Sequence, residues 1–201
     1  MRYRTIVADP PWDYGSTFTK KLPHERHQKG AECPYPMMGT DAICDLGVEA
    51  LAEDDAHLYL WTTIKFVEDA YRVCRAWGFR PASFLTWTKT HHDDPARVSM
   101  KVGHYFRGAT EHFIFGVRGS LDLQTKQGIP TGFLWPRLPH SVKPDAFFDM
   151  VEQASPGPYL EMFSRRARLG WDTWGDEALH GTGAISGDHT VTGSPETEAA
   201  A

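Results

Sequence analysis

The sequence predicts an α/β fold: a parallel or mostly parallel sheet with helices packed against it. Three observations lead there. Strand-like apolar runs alternate along the chain with stretches of helical period. The first run, Tyr3–Ala8, stops abruptly at Asp9-Pro10-Pro11-Trp12. The composition, 41% hydrophobic, 23% charged and 12% aromatic over 201 residues, is that of a globular chain with a real core and room for one domain.

The elements follow in order. Tyr3–Ala8 is the first strand and His57–Thr63 the second. Phe66–Trp77 reads as a helix, because Phe66/Ala70, Val67/Tyr71/Cys74 and Ala70/Val73/Trp77 recur three or four apart on one face. Gly78 is placed to stop it. Ala82–Thr88 and Glu111–Val117 are the third and fourth strands, and 90–109 and 119–136 are polar and punctuated by glycine. Pro144–Ala154 is a helix with proline at its first position, stopped by Ser155-Pro156-Gly157. Tyr159–Phe163 is a further strand and Gly170–Glu177 a short closing segment. Gly181–Ala201 is Gly, Ser, Thr, Ala and acid, too poor in large apolar residues to repay its ordering entropy. It is expected to be a disordered acidic tail, leaving 1–180 as the domain.

Charge is unevenly spread. The formal net charge is -5, yet five acids and no Lys or Arg lie from Asp176 onward, which leaves the rest of the chain neutral. Within it, 89–143 is basic, as is Lys20-Lys21-Leu22-Pro23-His24-Glu25-Arg26-His27-Gln28-Lys29. Two basic segments on a neutral body suit a polyanion, or are simply solvated loops. Three classes fall away. No uncharged apolar run reaches the ~20 residues of a membrane helix, so no membrane partner is expected. The start of the chain has no signal-peptide core. Cys33, Cys44 and Cys74 are odd in number without a Cys-x-x-Cys pair, which fits a reducing cytoplasm rather than a disulfide framework or zinc ribbon. His91-His92-Asp93-Asp94 is read as a polar loop, since adjacent residues rarely ligate one ion; His24 and His27 are three apart, not the four of a metalloprotease helix. No metal is expected.

Asp9-Pro10-Pro11-Trp12 carries the chemistry. Ligands of open α/β sheets bind beyond the carboxyl ends of the strands. Two prolines make that corner rigid and remove competing N–H donors, so the Asp9 carboxylate and the nearby carbonyls stand ready as acceptors. The exocyclic amine of a nucleobase has two N–H donors and a lone pair delocalised into the ring. Holding both hydrogens favours a pyramidal nitrogen whose lone pair can attack a methyl group. Trp12 offers a face for the base, worth ~1–3 kcal/mol in stacking.

With that motif the chain resembles the MT-A70-like adenine N6-methyltransferases. The resemblance extends through Leu58-Tyr59-Leu60-Trp61-Thr62-Thr63, Gly103-His104-Tyr105-Phe106-Arg107-Gly108-Ala109-Thr110-Glu111-His112, His140-Ser141-Val142-Lys143-Pro144, Glu161-Met162-Phe163-Ser164-Arg165 and Gly170-Trp171-Asp172-Thr173-Trp174-Gly175-Asp176-Glu177, all in family order over 1–177. It implies a Rossmann-like seven-stranded S-adenosyl-L-methionine-dependent methyltransferase fold, permuted so that the catalytic motif is N-terminal and the cofactor motifs C-terminal. It implies catalytic roles for Asp9, Pro10, Pro11 and Trp12. Cofactor binding falls to Asp9, Lys143, Glu161, Arg165, Asp176 and Glu177, where Asp176 replaces the family's usual Asn. Substrate binding falls to Trp12, Tyr35, Glu111 and Lys143, and 90–136 becomes the target-recognition region. Lys20, Lys21 and Lys29 follow the catalytic motif closely and are expected to flank the strand's entry. If Pro144 is the first helical residue, Lys143 sits at the helix cap, where a cation is misplaced and a bound carboxylate would relieve it. The expected function is methyl transfer from S-adenosyl-L-methionine to the N6 amine of adenine in nucleic acid, DNA before RNA, with a second copy or a related subunit as protein partner. The alternatives are an RNA adenosine methyltransferase and a catalytically silent nucleic-acid-binding subunit; silent members lose Asp-Pro-Pro-Trp, which this chain keeps.

Overall fold

A computed structural model describes residues 1–14, 37–103, 105–139, 142–164 and 166–175. Strand β1 (Tyr3–Ala8) leads to a short helix α1 (Thr40–Cys44), then β2 (Ala52–Thr62), α2 (Val67–Ala76), β3 (Arg80–Thr90), β4 (Thr110–Arg118), β5 (Gly132–Pro136), α3 (Asp145–Ala154), β6 (Tyr159–Met162) and β7 (Trp171–Trp174). The strands form one seven-stranded sheet in the order β5-β3-β4-β2-β1-β6-β7. Every strand runs the same way except β4, which is antiparallel to both β2 and β3. This is the mostly parallel, seven-stranded architecture the sequence predicts.

Strand alternation divides the core. Ile6, Ala8, Leu58 and Leu60 face Ala70, Val73, Cys74 and Trp77 of α2 and its end. Val7, Tyr59, Trp61 and Phe113 face Phe147, Phe148 and Val151 of α3. Helices therefore cover both faces, and the central strands are apolar on both sides. At Gly116 in β4 the sheet leaves room for α2: a Cβ there would stand 2.9 Å from Cys74 Sγ. Gly78, with φ +79, ends the α2 segment as its spacing predicts.

The differences from the sequence reading have local causes. Strands β2 and β3 are longer than the apolar runs that announce them, because backbone pairing continues through Ala52 and Ala56 in β2 and through Arg80 and Lys89 in β3. Strand β5 lies inside 119–136, read above only as polar and punctuated by glycine; it is an edge strand, half-exposed over most of its length, and lacks a buried apolar run. Strand β4 and β5 also occupy part of 90–136, so the non-sheet portion of the expected recognition region is 91–109 and 119–131. The last helix starts at Asp145; Pro144, at φ -61 and ψ 140, is its cap. Lys143 therefore stands one residue before the cap, which corrects its expected position. His91-His92-Asp93-Asp94 forms an exposed turn in which Asp93 pairs with Arg97 at 3.4 Å and Asp94 accepts the Ala96 N–H. Among the described residues no helix is long and apolar enough to cross a membrane. The 181–201 tail lies outside the described residues.

The topology fixes where a ligand goes. From β1 the chain crosses through α1 to β2 on one side, whereas β6 and β7 extend the sheet on the other. The order reverses between β1 and β6, and a cleft opens at the carboxyl ends of such a pair. Asp9 follows β1 directly and Glu161 lies near the end of β6.

Candidate active site

Because β4 is antiparallel, its first residues meet the last residues of β2 and β3. That brings Glu111 to the same edge of the sheet as Asp9, and the segment leading into α3 brings Lys143 between them. Lys143 Nζ donates to Asp9 Oδ2 at 2.5 Å and lies 3.6 Å from Glu111 Oε2. Lys89, near the end of β3, donates to Glu111 Oε1. The result is an alternating row, Asp9–Lys143–Glu111–Lys89. Each ammonium also sits over an indole: Lys143 is 4.8 Å from the Trp61 ring centre and Lys89 4.7 Å from that of Trp87, a favourable cation–π placement.

These groups are withdrawn from water to different degrees. The side chain of Lys143 is 10% exposed, Glu111 24% and Asp9 36%. Burial opposes the charge on Glu111, but Lys143 and Lys89 outweigh it and hold its carboxyl below the usual glutamate range. Burial likewise opposes the Lys143 charge; Asp9 and Glu111 outweigh it and hold the ammonium above the usual lysine value. Glu111 and Lys143 therefore stay ionised at neutral pH. The carboxylate expected to relieve the Lys143 cation is thus supplied by the protein itself.

The rest of the Asp-Pro-Pro-Trp corner is partly committed. The Pro10 carbonyl accepts the Trp12 N–H at 2.9 Å and the Pro11 carbonyl the Met38 N–H at 2.8 Å. Each keeps a second lone pair. Trp12 departs from expectation. Its ring is 5% exposed, stacked on Phe66 at 5.3 Å, with its indole N–H donated to the Trp61 carbonyl at 3.2 Å. It is a core side chain that anchors the corner, and its broad face is not free for a base. The bulk that makes tryptophan a stacking platform also makes it a good plug at the end of β1.

At the other side of the cleft, burial pushes the Glu161 carboxyl above its usual range, against the pull of Ser164, Arg166 and Arg168. Glu161 Oε2 is buried without a hydrogen-bond partner among the described residues. Beyond it, Phe163 adopts a positive φ of 61, a strained conformation for a bulky side chain, of a kind found at ligand-binding edges. Asp145, at the start of α3, takes Arg166 at 2.6 Å and Arg168 at 2.5 Å, which ties this loop to the helix. An unpartnered acceptor at a strand's end suits the hydroxyls of a ribose, so the residues present fit a nucleoside cofactor such as S-adenosyl-L-methionine. Lys20, Lys21, Lys29, Tyr35, Arg165, Asp176 and Glu177 lie outside the described residues.

Lys89 is the site residue that the sequence reading missed. Its signal was strand period: Leu85, Trp87 and Lys89 alternate onto one face of β3, so a lysine follows two core residues at an inward position. It is 8% exposed, and a lysine so buried requires a carboxylate nearby. Beside it lies a cavity of about 200 Å³ walled by Trp87, Lys89, Lys101, Glu111, Arg137 and Val142.

A protein-family model described as MT-A70 matches residues 3–177. The chain belongs to the MT-A70 family. Among its relatives is the Type II methyltransferase M.MunI of Mycoplasma sp, 29% identical over 88% of this chain and 78% of that protein. The N(6)-adenosine-methyltransferase MT-A70-like protein of Drosophila melanogaster is 28% identical over 88% of this chain but 27% of its own length. The human N(6)-adenosine-methyltransferase catalytic subunit METTL3 is 27% identical over 88% of this chain and 28% of its own. The chain thus spans about a quarter of the Drosophila and human relatives. Membership agrees with the order of motifs and with the seven-stranded sheet.

Proposed function

We propose that this MT-A70 chain transfers a methyl group from S-adenosyl-L-methionine to the N6 amine of an adenine in nucleic acid. The observation that carries the reading is the Asp9 carboxylate, held at the end of β1 by a buried Lys143 that is itself backed by Glu111. When bound, S-adenosyl-L-methionine supplies an already activated methyl group on a sulfonium, so the protein's task is positioning and desolvation.

Each residue has a definable part. Lys143 occupies Asp9 Oδ2 and fixes the carboxylate's orientation, leaving Oδ1 to accept one amine hydrogen. The free lone pair of the Pro10 carbonyl accepts the other. With Oδ2 taken by Lys143, Asp9 serves as a hydrogen-bond acceptor, and the proton shed by the methylated nitrogen leaves to water. Glu161 would hold the cofactor ribose. An adenine inside a duplex cannot reach this edge while stacked, so the base is flipped out or presented on a single strand.

The relatives whose names print a target print N(6)-adenosine. This favours RNA over the DNA expected from the sequence. The match over 78% of the Type II methyltransferase keeps DNA as the second reading. The test incubates the chain and labelled S-adenosyl-L-methionine with matched RNA and DNA oligonucleotides, single-stranded and duplex, followed by nucleoside analysis. N6-methyladenosine or its deoxy counterpart is the expected product, and Asp9→Ala should lower its rate by ~10²–10³-fold, as for loss of one transition-state hydrogen-bond partner. Undiminished turnover in that variant would overturn the assignment.

A further inference from the structure

We propose that the cavity beside Glu111 seats a backbone phosphate of the nucleic acid next to the target adenine. This rests on the methyltransferase reading and adds a contact to it. Three cations line the cavity, Lys89, Lys101 and Arg137, against one acid, Glu111. Three different segments bring them together, each fixed by its backbone: the Lys89 N–H donates to the Ala109 carbonyl, Lys101 to Gly108 and Arg137 to Thr90.

The charges do not cancel. Glu111 is satisfied by Lys89 and Lys143. Among the described residues no ion pair reaches Lys101 or Arg137, so the cavity keeps two surplus positive charges. They are crowded: partial burial, Lys89 and Arg137 together hold the Lys101 ammonium below the usual lysine value, against the pull of Glu111. A site that holds like charges together at a cost gains most from an anion that separates them. A phosphodiester offers two acceptor oxygens, which suits one ammonium and one guanidinium.

Two features indicate a strand rather than a free anion. Glu111 lines the cavity and also pairs with Lys143, which holds Asp9, so an anion here lies at the same edge of the sheet as the amine acceptor. Phe106, 92% exposed, lies in the segment that the Lys101 N–H closes onto the Gly108 carbonyl. An exposed aromatic side chain on the same segment as a cavity cation is the pattern by which unpaired bases stack while their backbone is neutralised.

The test uses the full chain and a fluorescent single-stranded oligonucleotide with one adenine. Lys101→Ala/Arg137→Ala should weaken binding on the order of tenfold and flatten the slope of log affinity against log salt by roughly 0.7 to 0.9, one phosphate's share. In the wild type, a neutral methylphosphonate at one linkage beside the adenine should cause the same loss, and it should add nothing in the double variant. The wild-type linkage scan stands by itself if the double variant fails to fold. The phosphate seat is wrong if the variant keeps the wild-type slope, if no linkage near the adenine matters, or if the two losses add in full. Competition by inorganic phosphate without any linkage effect would also overturn it, leaving an anion pocket unrelated to the strand. In each case N6-methyladenine formed by the wild type would leave the methyltransferase reading intact; no methylated product with any oligonucleotide would remove both.

Discussion

Lys143→Met keeps most of the side chain's apolar volume and removes its charge. At an effective dielectric of about 20, an ammonium 2.5 Å from Asp9 and 3.6 Å from Glu111 interacts by roughly 7 and 5 kcal/mol. Dehydrating the ammonium offsets several kcal/mol of this. Breaking a buried pair from one side usually costs about 3–5 kcal/mol, because the partner charge is left behind. Asp9, at 36% exposure, is partly screened by water, which sets the expected loss near 3 kcal/mol. For a chain of this size that is a fall in Tm of ~6–12 °C. Helix-start electrostatics alone would make the substitution neutral; the two carboxylates reverse that expectation. The pH dependence has a definite sign. In the wild type the lowered Glu111 carboxyl contributes stability above its unfolded value of about 4.5 that fades as pH falls below it. In the variant Glu111 keeps only Lys89 against its burial, and protonation relieves it over the same range. The gap between the two proteins should therefore narrow from pH 7.5 toward pH 4. It should narrow again above about pH 10.5, the unfolded lysine value, as the raised Lys143 loses its proton in the wild type. The assay is thermal unfolding of both proteins across pH. Adding Asp9→Asn to the variant should recover part of the loss, since Asp9 is the acid left without its ion pair while Glu111 keeps Lys89. A Tm within about 2 °C of wild type at pH 7.5, or a gap indifferent to pH, would refute the reasoning.

Trp12→Phe should lower stability by about 1 kcal/mol through loss of the indole bond to the Trp61 carbonyl, with KM for the oligonucleotide unchanged; a large KM effect at wild-type Tm would restore Trp12 as a stacking face. Glu161→Gln should weaken S-adenosyl-L-methionine binding about tenfold by titration calorimetry, as a charged acceptor becomes neutral. The unliganded Tm should hold or rise, since a buried unpartnered carboxylate oxygen is removed; unchanged affinity would take Glu161 out of the cofactor site. His57 is buried between Ser155 Oγ at 2.7 Å and the Leu121 carbonyl at 2.9 Å, and burial lowers its pKa. Its contribution to stability is full above about pH 6.5 and is lost as pH falls through the lower folded value. Urea unfolding between pH 7.5 and 5 should show this loss, and His57→Gln should remove it; equal slopes would mean His57 titrates as in the unfolded chain.

What the sequence determined by itself was whatever depends on near neighbours in the chain. Strand-like apolar runs announced β1, β2, β3 and β4, helical period announced α2, a proline start and a Ser-Pro-Gly stop announced α3, and Gly78 marked a stop, because each pattern is set by residues within one or two turns. Asp9-Pro10-Pro11-Trp12 marked the corner of the site, since proline acts on its own backbone. Strand β5 escaped notice because an edge strand needs no apolar run, and the ends of β2 and β3 because pairing partners, not side chains, extend them. Only the tertiary structure could decide the rest. The antiparallel course of β4 delivers Glu111 to the edge where β1 ends, 102 positions after Asp9 in the numbering, and a loop before α3 sets Lys143 between two acids. The same packing turned Trp12 from an offered face into a core side chain against Phe66. It also brought Lys101 and Arg137 to one cavity wall. Charge–charge contacts of this kind act through space, and the order of residues along the chain carries no record of the distance between them.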